Sequence, residues 1–190
     1  MKKLLIVIGL AVVAAAGWFF VSPLFIDEVI DEAFIAKVAT MSDEQKQEIM
    51  PDIMDKAANA PDQMNDEAMP AGGPRLLSKG LFVDADPVHK GSGDALLYAL
   101  EGGDHLVRFE NFRTTNGPAL VVYLAEHGAP TSASDVTDGG YIKLGKLKGN
   151  VGNQNYPVPS GTDIGKYNSV VIWCELFGVL FSPAALTSAG

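Results

Sequence analysis

Ser169-Val-Val-Ile-Trp-Cys-Glu-Leu-Phe-Gly-Val-Leu-Phe181 is the stretch on which the reading of the fold turns, and it holds the one cysteine of the chain, Cys174. Val170, Val171 and Ile172 are β-branched and Trp173 is aromatic, which predicts a strand over Ser169–Glu175. Alternation places Val170, Ile172 and Cys174 on one face and Val171 and Trp173 on the other. A strand apolar on both faces is covered on both, so it is expected in the interior of a sheet. Gly178 interrupts the run, and Val179–Phe181 continues as a second short strand. Cys174 is therefore expected in the core.

Working outward, the residues from Gly80 onward form short apolar runs between turn signals. Strands are expected at Gly80–Ala85, Ala95–Leu100, His105–Phe109, Ala119–Leu124 and Tyr141–Leu147, besides the two already named. Gly91-Ser92-Gly93, Gly102-Gly103-Asp104, Asn116-Gly117-Pro118, Asp138-Gly139-Gly140 and Pro157–Gly161 separate them. Many short strands with frequent turns predict an all-β sandwich or barrel over residues 75–190.

The preceding residues are organised differently. Leu4–Ile26 carries no charge over 23 residues, a helix length of ~34 Å against a hydrocarbon core of about 30 Å. Ala14-Ala15-Ala16 offers a signal-peptide cleavage site, but apolar and aromatic residues continue past it to Phe25, which favours an uncleaved transmembrane helix over residues 1–26. Lys2 and Lys3 against Asp27, Glu28, Asp31 and Glu32 predict a single-pass protein with a cytoplasmic N-terminus and an extracytoplasmic C-terminal domain. Residues 27–58 read as a short acidic helical stalk, with Ser42 and Gln45 forming a capping box and Pro51 ending or kinking the helix. Residues 59–74 are acidic and rich in Pro and Gly, the signature of a linker.

Charge follows this division. The net charge is −9; residues 27–70 hold 12 acidic and 3 basic side chains, and residues 71–190 hold 11 and 9. No basic stripe or basic–aromatic cluster supports nucleic-acid binding. One cysteine excludes an intrachain disulfide framework. Met41, Met50, Met54, Met64 and Met69 lack the compact spacing with histidine that a copper site needs. No His or Met follows Cys174 at cupredoxin spacing, and no C-x-x-C-H is present for covalent haem. Lys148, Gly149, Asn150, Gly152 and Asn153 lack the P-loop order. They read as a shaped surface loop, the best candidate for contact with a ligand or partner.

Several features, in order, resemble the DM13 domain, a family proposed to act in electron transfer at cell surfaces. They are His89 with Ser92-Gly93, Phe109–Phe112, Gly117-Pro118 with Leu120–Leu124, Leu144–Pro159, and Tyr167 with the Ser169–Phe181 stretch, closed by Ala184 and Leu186. The likeness spans residues 75–187. It implies that Cys174 is a redox centre, as a bare thiol or as the ligand of a prosthetic group such as haem, and that His89 is the best second ligand. It also implies a redox or surface-protein partner in the cell envelope. Composition alone supports a different account of Cys174, a buried thiol acting as a small hydrophobe beside Glu175. The alternative function is a non-enzymatic binding module that uses the Lys148–Asn153 loop.

Overall fold

The computed structural model describes residues 32–190. The apolar run Leu4–Ile26 lies outside them, and among the described residues no helix is long and apolar enough to cross a membrane. Two helices, α1 (Glu32–Ala39) and α2 (Asp43–Ala58), come first. They are followed by β1 (Arg75–Leu81), β2 (Gly91–Ala99), β3 (His105–Thr114) and β4 (Leu120–Ala125). A short helix α3 (Ala133–Thr137) precedes β5 (Tyr141–Lys146) and β6 (Val151–Pro157); then come β7 (Ser169–Cys174), β8 (Val179–Ala185) and β9 (Thr187–Ser188).

The strands form two antiparallel sheets of order β6-β3-β2-β1-β9 and β5-β4-β7-β8. Together they make the sandwich that the strand pattern predicts. β7 lies between β4 and β8, and every residue of β4 and β7 is buried. The faces divide as the alternation requires. Val170, Ile172 and Cys174 join the main core with Val107, Phe109, Phe112, Val122, Leu124 and Phe181. Val171 and Trp173 join a second cluster with Val121, Tyr123, Val136 and Leu180 on the other face. Helix α3, between β4 and β5, supplies Val136 to that cluster; Ser132 and Asp135 form its capping box.

Several strands depart from expectation: β2 takes in Gly91-Ser92-Gly93, which reads as a break, and β9 lies beyond the last expected strand. β1 begins at Arg75 and ends at Leu81, and the residues after it leave to pair with β8 through Phe82↔Ala184 and Val83 N–H to Pro183 O at 3.0 Å. β6 starts inside the loop expected at Lys148–Asn153, where Gly and Asn read as turn residues. Its polar groups are satisfied within the fold. Gln154, fully buried, donates from Nε2 to Gly149 O at 2.7 Å and accepts the Tyr156 hydroxyl at 2.6 Å. Burial of a bonded amide carries little penalty, so the strand forms.

The capping box at Ser42 is present, with Ser42 N–H to Gln45 Oε1 at 3.1 Å and Gln45 N–H to Ser42 Oγ at 3.4 Å. The helix does not end at Pro51 but runs through it to Ala58. Burial of Ile53 and Ala57 anchors the half beyond the proline. α1 is not an isolated stalk either, because Val38 is fully buried in the same cluster as the sandwich core, with Phe34 and Ile35 packed against it.

Candidate functional site

Cys174 closes β7 at the point where the chain turns through Glu175–Gly178 into β8. Its side chain has 0% exposure. The thiol donates to Pro118 O at 3.0 Å, a carbonyl from the Asn116–Ala119 turn that leads into β4. Burial pushes the thiol up to about 11 from its ordinary 9.0; the Phe177 and Leu176 N–H groups oppose the rise and the Glu175 charge adds to it. A protonated, sealed thiol is a poor nucleophile and a poor metal ligand at neutral pH, since the thiolate performs both roles.

His89 sits in the turn between β1 and β2. The Asp86 carboxylate organises that turn, accepting the N–H groups of Val88 and His89 at 2.7 Å each through Oδ1, while Oδ2 meets His89 Nδ1 at 2.5 Å. Burial raises the Asp86 carboxyl, but these bonds outweigh it and hold the group below its ordinary value. The imidazole packs on Phe181 with ring centroids 4.3 Å apart. Phe181 belongs to the same core as Cys174, yet among the described residues no hydrogen bond joins His89 to Cys174.

These two residues do not fit a haem. Cys174 Sγ faces a carbonyl inside packed core, and His89 is engaged by Asp86 and Phe181. A pocket of about 300 Å³ is lined by Asp62, Asp84, Lys90, Arg113, Asn116 and Asn150, and neither Cys174 nor His89 borders it. Among the described residues no group of three His, Cys, Asp or Glu side chains is placed to hold a metal.

The Lys148–Asn153 loop, expected to meet a ligand, holds the chain's own acidic segment. Residues 62–68, part of the stretch read as a linker, run alongside the outer edge of β6. Val151 N–H donates to Gln63 O at 3.3 Å, Asn65 N–H to Val151 O at 2.9 Å and Glu67 N–H to Asn153 O at 2.7 Å. Met64 and Val151 form a parallel bridge. The glycines permit this approach: a Cβ at Gly149 would stand 2.3 Å from Gln63 O, and one at Gly152 would stand 2.2 Å from Asn65 O.

Each polar side chain of the loop has a partner in the segment. Asn150 accepts Gln63 N–H at 2.7 Å and donates to Asp62 at 2.7 Å and to Thr114 O at 3.2 Å. Asn153 donates to Asp66 at 2.7 Å, and Lys148 reaches the Glu67 carboxylate at 2.7 and 2.9 Å. Arg113 pairs with Asp62 at 2.8 Å, and the buried Arg108 binds Glu67 O at 3.0 Å. The Asn150 amide, then Arg113, hold the Asp62 carboxyl below its ordinary value. Burial raises Glu67, but Lys148 and the Asn155 N–H bring it below the usual range. Sequence reading missed Asp62, Glu67, Arg108 and Arg113; the available signal was an acidic segment in a chain whose loop carries a lysine.

A family model described as electron transfer DM13 matches residues 82–186. It begins at Phe82, so α1, α2, the acidic segment and β1 precede the matched region. No curated protein and no solved structure matches the chain. With more than half of its residues matched in one continuous span, from the Phe82 bridge to the end of β8, the chain belongs to the electron transfer DM13 family.

Proposed function

We propose that this protein is an electron-transfer module held at a membrane by Leu4–Ile26, with its sandwich on the extracytoplasmic side and Cys174 as its thiol centre. The family match across the sandwich is the observation that carries the reading. Lys2 and Lys3 against the acidic residues after Ile26 support the orientation. In this reading the buried Cys174 thiol is reached by a partner in the envelope only when the Glu175–Gly178 turn opens, because the closed state leaves it protonated and covered. The packing gives haem no place between Cys174 and His89, so no step is assigned to it, and His89 serves to join the β1–β2 turn to Phe181. Protein-film voltammetry tests the proposal. A reversible wave that disappears in Cys174→Ala supports it; a wild-type protein with no wave overturns it. Membrane pellets that keep the full-length chain after carbonate washing support the anchor, and release of a chain beginning near Gly17 overturns it.

A second reading, a binding module of the cell envelope, is favoured by the Lys148–Asn153 loop, which already holds an extended acidic segment. Strand addition to an exposed edge is a recurrent mode of peptide recognition. In this reading the Asp62–Ala68 segment occupies a groove that a partner peptide would enter. A labelled peptide of residues 60–70 that binds a Glu67→Gln, Asp62→Asn chain, and is excluded by the wild type, supports this reading. A peptide with no preference between the two removes it.

A further inference from the structure

The outer face of the β5-β4-β7-β8 sheet carries a row of aromatic rings that ends at the surface. Trp173 and Tyr123 are 5% and 4% exposed, whereas Tyr141 is 43% exposed. Register brings them together. Tyr123 pairs with Val171 and Trp173 with Val121, so Tyr123 and Trp173 are diagonal neighbours on one face; Tyr141, paired with Ala125, is diagonal to Tyr123 on the other side. The Tyr141 and Tyr123 rings stack with centroids 4.3 Å apart and planes 14° apart. The Tyr123 and Trp173 centroids lie 6.2 Å apart with planes at 27°. The inner end of the row is the residue next to Cys174.

Tyr123 also has a proton acceptor. Its hydroxyl donates to Glu175 Oε1 at 2.9 Å, and Glu175 Oε2 accepts Lys143 Nζ at 2.5 Å. Burial, reinforced by the bond to Glu175 and by its charge, drives the Tyr123 phenol well above its usual value. Simple deprotonation of this phenol is therefore suppressed. A phenol that loses an electron becomes a strong acid, and a carboxylate already bonded to the hydroxyl is placed to take that proton.

We infer that Trp173, Tyr123 and Tyr141 form a one-electron relay across this face, with Glu175 as the proton acceptor of Tyr123 and Tyr141 as the surface terminus for an external one-electron acceptor. The inference rests on the electron-transfer reading of the family and names the side chains that would carry it. In the oxidising step one electron leaves the Tyr123 ring through Tyr141 to the acceptor, a metal complex or redox protein. The Oη–H bond breaks, its proton passes to Glu175 Oε1, and the products are a neutral phenoxyl radical and a protonated Glu175, with the acceptor reduced by one electron. Return of one electron from an external one-electron donor, passed through Trp173, restores the phenol as Glu175 gives back the same proton and the donor is oxidised by one electron. The bland role of such a row is cross-strand packing, so the test must read redox behaviour.

Flash oxidation of the full-length protein by a photogenerated ruthenium(III) polypyridyl complex provides it, with transient absorption and electron paramagnetic resonance as readouts. The expected result is a neutral tyrosyl radical whose yield falls about tenfold in Tyr123→Phe but is unchanged in Tyr98→Phe, a change on β2 of the other sheet. Formation slows about tenfold in Glu175→Gln, with loss of the solvent hydrogen/deuterium isotope effect, and it slows in Tyr141→Phe; a tenfold slowing corresponds to ~1.4 kcal/mol of barrier. A radical yield untouched by Tyr123→Phe, or a rate untouched by Glu175→Gln, overturns the relay. If Tyr123→Phe does not fold, the rates in Glu175→Gln and Tyr141→Phe decide. A Cys174-dependent voltammetric wave without any Tyr123 radical removes the relay and leaves the electron-transfer reading standing. A Tyr123 radical in a protein that shows no wave keeps the relay and removes that reading.

Discussion

Replacing Cys174 with Ala should alter how stability responds to alkali more than it alters stability at neutral pH. The thiol is fully buried, and its folded-state value lies at about 11 against an ordinary 9.0. The sign follows from proton binding. Between those two values the unfolded chain has released the Cys174 proton and the folded chain retains it, so the unfolded state binds fewer protons and unfolding becomes easier as pH rises. The contribution is present in full below about pH 9 and is lost as pH climbs toward 11. Two pKa steps at ~1.4 kcal/mol each give an upper figure of about 3 kcal/mol. At neutral pH the loss of one buried sulfur should cost about 1–2 kcal/mol, in the range of small cavity-forming changes. The assay is urea denaturation of the wild type and Cys174→Ala at several pH values from neutral to alkaline. The gap between the two proteins should narrow and then invert toward alkaline pH, while the buried tyrosines titrate equally in both. Parallel stability curves, or prompt reaction of the native thiol with an aromatic disulfide at neutral pH, would refute the sealed, protonated site.

Asn150→Ala removes the side chain that joins Asp62, Gln63 and Thr114. It should cost about 1–3 kcal/mol through buried groups left unpaired, and hydrogen exchange should speed up at the Asn65 and Glu67 amides before it does in β7. A fragment of residues 75–190 loses the burial of Val38 and Ile53. At about 1.5–3 kcal/mol per buried aliphatic side chain, it should melt well below a fragment of residues 32–190 while keeping β-type circular dichroism; equal melting temperatures would show that α1 and α2 add nothing to the core. Ala119 holds φ at +52° in the turn beside Cys174, so Ala119→Gly should raise stability by up to about 1 kcal/mol, read from the urea midpoint. A loss of similar size would show that packing of the Ala119 methyl group outweighs its backbone strain.

What local sequence determined is what a strand or a helix can decide alone. The two-faced apolar pattern of Val170–Cys174 specified a covered interior strand and divided its residues between the two clusters in which they lie. Ser42 and Gln45 specified a helix start, because a capping box is complete within four residues. The family could be read for a similar reason: its features are ordered along the chain and do not depend on their partners in space. Tertiary structure decided the rest, wherever the deciding partner is distant in sequence. Gly152, Asn153 and Asn155 of β6 form a strand because β3 pairs with it and the acidic segment, more than 80 residues earlier, bonds the two asparagines. The Asp62–Ala68 segment reads as linker from composition, and becomes part of the fold because Lys148, Asn150 and Asn153 come together against it. Pro118, 56 residues before Cys174, receives the thiol. The Trp173–Tyr123–Tyr141 row exists only through the registers of β4 with β5 and β7. Side-chain periodicity states which face a residue shares, but the pairing of strands states which residues meet there.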